Sequence, residues 1–195
     1  MLHRKEVVFE TRLEFLTNKI AKEIATILAN KKIHILTGFE TYTPEIRDNV
    51  LGKREPLEFV FHGIENVGKS HFGLIAYILY KPVHNMIDDE ADIELKKSID
   101  WLIEACNKNK VTLSLRLNPM YVSAETVWAK SVNHDEYQVP SLKRLYSIAS
   151  YYKTIGIDSY IGLSSEGLAD DLLTYRSHTD YTKDLLKQVI CFNRL

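Results

Sequence analysis

Cysteine is nearly absent: Cys106 and Cys191 are the two in 195 residues, far apart and in no CxxC pair. That excludes a disulfide framework and predicts a reduced, cytoplasmic protein. Five prolines and eight glycines form no low-complexity linker, and no segment repeats. No window reaches the roughly 18 apolar residues of a membrane span, and residues 1–5 lead into no signal-peptide core. Excess charge is missing too. A net charge of −1 gives no electrostatic case for nucleic acid or an anionic membrane. The seven histidines have no HxxxH or HExxH spacing, so no metal site is expected. Ser164-Ser165-Glu166-Gly167 lacks the turn of a G-x-S-x-G nucleophile elbow. No catalytic residue is assigned.

What is present suits one folded domain over residues 1–195, with 45% hydrophobic and 26% charged residues. Val7 to Thr11 reads as a strand. Leu16, Ile20, Ile24, Ile27 and Leu28 then recur at helical spacing, predicting an amphipathic helix over 14–30. Ile33 to Thr37 is a second strand, followed by helical stretches from Pro44 to Val50 and Pro56 to Val67. Phe72 to Tyr80 is almost continuously apolar, as in a strand covered on both faces. Asp88, Asp89 and Glu90 favour a helix start. Leu95, Ile99, Leu102, Ile103 and Cys106 share one face of that helix. Val111 to Leu117 is the next strand. Pro140 opens a helix that Gly156 stops; 157–163 predicts a fifth strand and 180–192 a last helix.

Alternating strands and helices imply parallel strands with right-handed crossovers. Along 111–118, Val111, Leu113, Leu115 and Leu117 share one face, while Thr112, Ser114, Arg116 and Asn118 share the other. A closed, packed barrel wants apolar residues on that second face. The expected fold is therefore α/β: a partial (β/α) barrel, an open half-barrel of about four to five strands. Four successive strand ends finish on polar residues: Glu10-Thr11-Arg12, Gly38-Phe39-Glu40-Thr41, Tyr80-Lys81-Pro82 and Arg116-Leu117-Asn118-Pro119. Strand C-termini are where parallel α/β proteins bind ligands.

At these residues the chain resembles the later part of a radical SAM barrel, in the group of the elongator catalytic subunit and the archaeosine-biosynthesis radical SAM proteins. The matching stretches are residues 7–15, 38–47, 76–82, Glu90-Ala91 and 114–122, spanning about 6–128 in order; 129–195 reads as a helical extension with one strand. Tyr137-Gln138-Val139-Pro140 falls where that group has a Pro-containing segment, and Leu13 stands where it has proline. The resemblance implies S-adenosylmethionine as cofactor, with Glu10, Arg12 and Glu40 facing it and Lys81, Arg116 and Asn118 nearer the substrate. Such proteins hold a [4Fe–4S] cluster on CxxxCxxC, and that motif is absent here. Two cysteines cannot supply three thiolates. The chain begins where a cluster-binding segment would have ended, so the expectation is either a fragment of a longer protein or one half of a split enzyme, a radical SAM enzyme only when completed by a cluster-bearing N-terminal part or partner. An exposed sheet edge at 7–11 would invite that partner or self-association. Alone, the chain should bind rather than catalyse; the substrate, small molecule or RNA, is unspecified.

Two other readings stay open at this point. Gly63-Ile64-Glu65-Asn66-Val67-Gly68-Lys69-Ser70 matches the phosphate-loop pattern GxxxxGKS, which works only between a strand and a helix. A stand-alone, non-catalytic nucleoside- or S-adenosylmethionine-binding protein is the other. Glu10, Arg12, Glu40 and Arg116 could also form an ion-pair network with no ligand. His34 reads as a hydrogen-bonded core histidine, and Cys106 as a small core hydrophobe.

Overall fold

Five parallel strands form a single open sheet in the computed structural model. The structure describes residues 5–123, 139–163, 174–175 and 180–194. The strands of the sheet are β1 (Glu6–Glu10), β2 (Lys32–Glu40), β3 (Gly73–Tyr80), β4 (Leu113–Pro119) and, after the short β5 (Val122–Ser123), β6 (Asp158–Ile161). They lie in the order β1-β2-β3-β4-β6. β5 pairs separately and antiparallel with β7 (Thr174–Tyr175). The helices are α1 (Asn18–Ile27), α2 (Leu57–Lys69), α3 (Asp88–Lys108), α4 (Leu142–Thr154) and α5 (Lys183–Phe192). The expected half-barrel architecture is therefore the one observed. The chain divides into two compact units, 1–77 with 97–115 and 78–96 with 116–195.

In the first unit, β1 pairs in parallel with β2, Val8 opposite His34 and Glu10 opposite Leu36. β1 stands at the end of the sheet, and none of its five residues is buried. On β2 the alternation is sharp: Ile33, Ile35, Thr37 and Phe39 are buried, while His34, Leu36, Gly38 and Glu40 are half-buried. Thr17 caps α1, its hydroxyl accepting from the amide of Ile20 at 3.3 Å. The helix accordingly starts later than periodicity predicts, after a 3-10 turn at Leu13–Phe15. α1 buries only Ala21 and leaves Ile20 and Ile27 exposed. The 44–50 stretch forms a π-helical turn, Ile46–Val50.

α2 settles the phosphate-loop pattern. Residues 57–69 are continuously helical, so the octet lies inside the helix rather than in a loop before one. Val60, Ile64 and Val67 bury at helical spacing. Gly63 is there for packing: a Cβ would come within 2.7 Å of the Leu13 carbonyl oxygen. With its amides committed to helical bonds, the octet has none to offer a phosphate. The nucleotidase reading is corrected on this ground.

In the second unit, β4 carries through the pattern read from sequence, with Leu117 buried and Arg116 and Asn118 half-buried. Ser141 caps α4, accepting from the amide of Arg144 at 3.3 Å, and Thr182 caps α5 likewise. Leu142, Leu145, Ile148, Ala149 and Tyr152 are the buried face of α4. Gly156 has φ +90°, which suits glycine two residues after the helix ends. Burying an aliphatic side chain of this kind contributes about 1.5–3 kcal/mol. Residues 124–138, including the Tyr137-Gln138 pair, and Ser164 to Gly167 lie outside the described residues.

Candidate functional site

In the first unit, the ends of β1 and β2 gather three cations and three carboxylates. Arg12 donates through Nη2 to the Lys53 carbonyl at 2.8 Å and pairs with Glu14 at 2.9 Å. Lys53 Nζ lies 3.8 Å from Glu40 and 3.7 Å from Glu55. Both are ion-pair separations, longer than a well-made hydrogen bond. Arg12 Nε and Glu55 Oε1 are buried, 4.0 Å apart, and without a hydrogen-bond partner. Buried polar atoms are normally satisfied, so these two unmet atoms side by side ask for a reason. Burial pushes the Glu40 carboxyl above the ordinary carboxylate range, against the opposing pull of Lys53 and Arg47.

Glu40 has φ +69°, and the amide of Thr41 donates to the carbonyl of Phe39 at 3.0 Å. Glu40 is thus the centre of a tight turn in the left-handed region, a strained place for a residue with a side chain. Two residues earlier, Gly38 keeps the space beside it open. A Cβ there would collide with Glu40 Oε1 and sit 3.3 Å from Lys53 Nζ.

Arg47 underlies this arrangement with its side chain fully buried. It donates to the carbonyls of Phe39 and Thr41, the latter at 2.9 Å, and to the carbonyl of Glu55 at 2.8 Å. Its guanidinium also lies 5.1 Å from the centre of the Phe39 ring, which stacks on Trp101 at 5.4 Å. Sequence reasoning picked out Arg12 and Glu40 but missed Arg47, Lys53 and Glu55. Arg47 lies inside the stretch that carries the family resemblance, which was the available signal. Lys53 and Glu55 had none, sitting in a charged run that reads as solvated. Glu10 is exposed and makes no ion pair among the described residues. His34 is not the hydrogen-bonded residue expected: its Nδ1 is buried and unsatisfied, against Gly73.

In the second unit the three other candidates are each engaged. Lys81 is buried and donates to Asp88 at 2.8 Å. Its neighbour Tyr80 donates to Asp92 at 2.7 Å, and Arg144 bridges Asp92 and Asp89. Arg116 lies 3.8 Å from Asp158 and 5.2 Å from the centre of the Tyr160 ring. The Asn118 side chain rests over Gly162, where a Cβ would strike its Oδ1.

The chain's thiols do not fit an iron–sulfur cluster. Cys106 is buried in α3, its thiol pushed up to about 12 by that burial, and Cys191 is exposed on α5. Three thiolates are needed and two cysteines exist. Among the described residues no group of three or more His, Cys, Asp or Glu is placed to hold a metal ion. No helix among them is long and apolar enough to cross a membrane.

No family model matches the chain. An uncharacterized protein of Methanocaldococcus jannaschii is 24% identical over 185 residues, covering 94% of this chain and 48% of that protein. The chain thus spans about half the length of the curated relative it matches. Among solved structures, a domain of pyruvate-formate lyase-activating enzyme from Bacteroides vulgatus superimposes with a TM-score of 0.52 at 16% identity, over 80% of each chain. That likeness concerns the fold alone.

Proposed function

We propose that this chain is a wall of a radical SAM-like barrel that binds S-adenosylmethionine, and that the cluster needed for cleavage is carried elsewhere. The observation that carries the reading is the buried, unmet pair Arg12 Nε and Glu55 Oε1, set beside the loosely spaced Lys53–Glu40 and Lys53–Glu55 ion pairs at the ends of β1 and β2. A bound zwitterion would satisfy it: Arg12 and Lys53 offer charge to a carboxylate, and Glu40 offers charge to an ammonium. Glu10, at the end of β1, is a further cofactor contact in this reading. Lys81, Arg116 and Asn118 are assigned to substrate, with Lys81 limited by its buried pairing to Asp88. S-adenosylmethionine held beside a reduced cluster supplies radical chemistry. Two cysteines cannot supply the cluster's three thiolates, so in this reading the chain alone binds S-adenosylmethionine without cleaving it.

The partner is a cluster-bearing polypeptide or segment that adds to the free edge of β1; association of two copies through that edge is the other form of the same idea. Its test is reconstitution with such a partner, followed by assay for S-adenosylmethionine cleavage. Binding is tested by equilibrium dialysis of S-adenosylmethionine against the native chain, Arg12→Ala and Glu40→Gln. Weakening in both variants supports the site. Absent binding to the native chain, or equal binding by all three, would sink it. A stand-alone binding protein is the second reading, favoured by the same unmet groups if binding is tight without iron and no partner restores cleavage.

A further inference from the structure

The largest fully buried side chain among the described residues belongs to an arginine, Arg47. An arginine is rarely buried whole, because its guanidinium must keep its hydrogen bonds out of water. Here the fork is spent almost wholly on backbone. Nη1 reaches the carbonyls of residues 39 and 41, and Nη2 reaches the carbonyl and Oε2 of Glu55. The two carbonyls on Nη1 are those on either side of Glu40, the residue in the left-handed turn. The turn's own bond, from Thr41 to Phe39, shares the Phe39 carbonyl with Arg47. Strain at a single non-glycine residue persists only where its surroundings over-determine it.

We propose that Arg47 is the positioning residue of the candidate site: it clamps Glu40 in its strained turn and ties that turn to the Lys53–Glu55 segment, so that both carboxylates and the Lys53 ammonium face one another. The clamp rests on the reading of Arg12, Glu40, Lys53 and Glu55 as a ligand site, and it adds to that reading the residue that shapes the site without touching ligand. A lysine has the charge but not the fork, and cannot bond three carbonyls in a plane.

The test is Arg47→Lys in the full chain, with two readouts. The first is the titration of the Glu40 carboxyl, followed by carbon NMR. Loss of the clamp lets the turn relax towards solvent, and the Glu40 midpoint falls towards the ordinary carboxylate value. The second is S-adenosylmethionine affinity, expected to drop roughly tenfold, the equivalent of about 1.4 kcal/mol. A merely structural arginine would lower the unfolding midpoint and leave both readouts of the folded protein unchanged; that result overturns the proposal. Should Arg47→Lys not fold, Arg47→Gln takes its place for the affinity measurement. If neither folds, Arg47 is a core clamp only and the proposal is overturned. If the native chain does not bind S-adenosylmethionine, the cofactor reading fails by itself, and the Glu40 titration alone decides on Arg47.

Discussion

Arg47 and Glu55 form a buried ion pair, Nη2 to Oε2 at 3.3 Å, with side-chain exposures of 2% and 1%. A pair so far from water contributes little net stability when whole, but removing one partner strands the other charge. Glu55→Ala is therefore expected to destabilise the fold by about 3–5 kcal/mol. Glu55→Gln should cost less, because the amide oxygen still accepts from Arg47 and the three backbone carbonyls keep their donor. Urea unfolding of the two variants checks the order; equal losses would contradict it.

Glu40 sets a pH dependence. Its folded-state carboxyl is raised above the ordinary value of 4.5, chiefly by burial. A raised acid favours the folded state when protonated, so its contribution is present below 4.5 and is lost as pH rises through the folded value. Glu40→Gln should consequently be more stable than the native chain at neutral pH, with the difference shrinking towards pH 4. Denaturant midpoints at the two pH values measure this. The same variant should bind S-adenosylmethionine less well, separating stability from binding.

Tyr80 and Arg144 make a second, fully paired network. Tyr80→Phe removes one hydrogen bond but leaves Asp92 its arginine, so a loss of about 1 kcal/mol is expected. Arg144→Met leaves Asp89 and Asp92 facing each other without their cation and should cost more. Burial and Asp92 raise the Tyr80 hydroxyl well above the usual phenol value of 10.0. Its stabilisation is thus complete below pH 10 and declines above it. Phenolate absorbance should show Tyr80 silent until the protein unfolds in alkali.

The GxxxxGKS octet gives a negative control. Lys69 is exposed at the end of α2, so Lys69→Ala should change neither stability nor any nucleotide binding. Gly63→Ala should destabilise by about 1–3 kcal/mol, since the added methyl meets the Leu13 backbone. Nucleotide titration and thermal melts distinguish the two.

Periodicity makes the layers legible in the amino-acid sequence alone. The alternation on β4 and the 3.6-residue recurrence of Val60, Ile64 and Val67 are local consequences of backbone geometry, and both reappear as burial. The octet shows the limit of a short motif. The same letters fit a phosphate loop or a helix, and the buried face chose the helix. The start of α1 falls later than the apolar pattern implies because Thr17, a capping residue, decides it.

For the candidate site, charged residues at the ends of consecutive strands are already legible in the amino-acid order, because strand direction and side-chain alternation are local properties of the chain. Which of those charges meet is set by the folded chain. Arg12 and Glu40 are joined through Lys53 and Glu55, and Lys81 is instead consumed by Asp88. Arg47 could not be read as a buried clamp, since its acceptors, Phe39, Thr41 and Glu55, lie six to eight residues away on either side and converge only in the folded chain. Burial and hydrogen-bond satisfaction are properties of that convergence, and no local pattern encodes them.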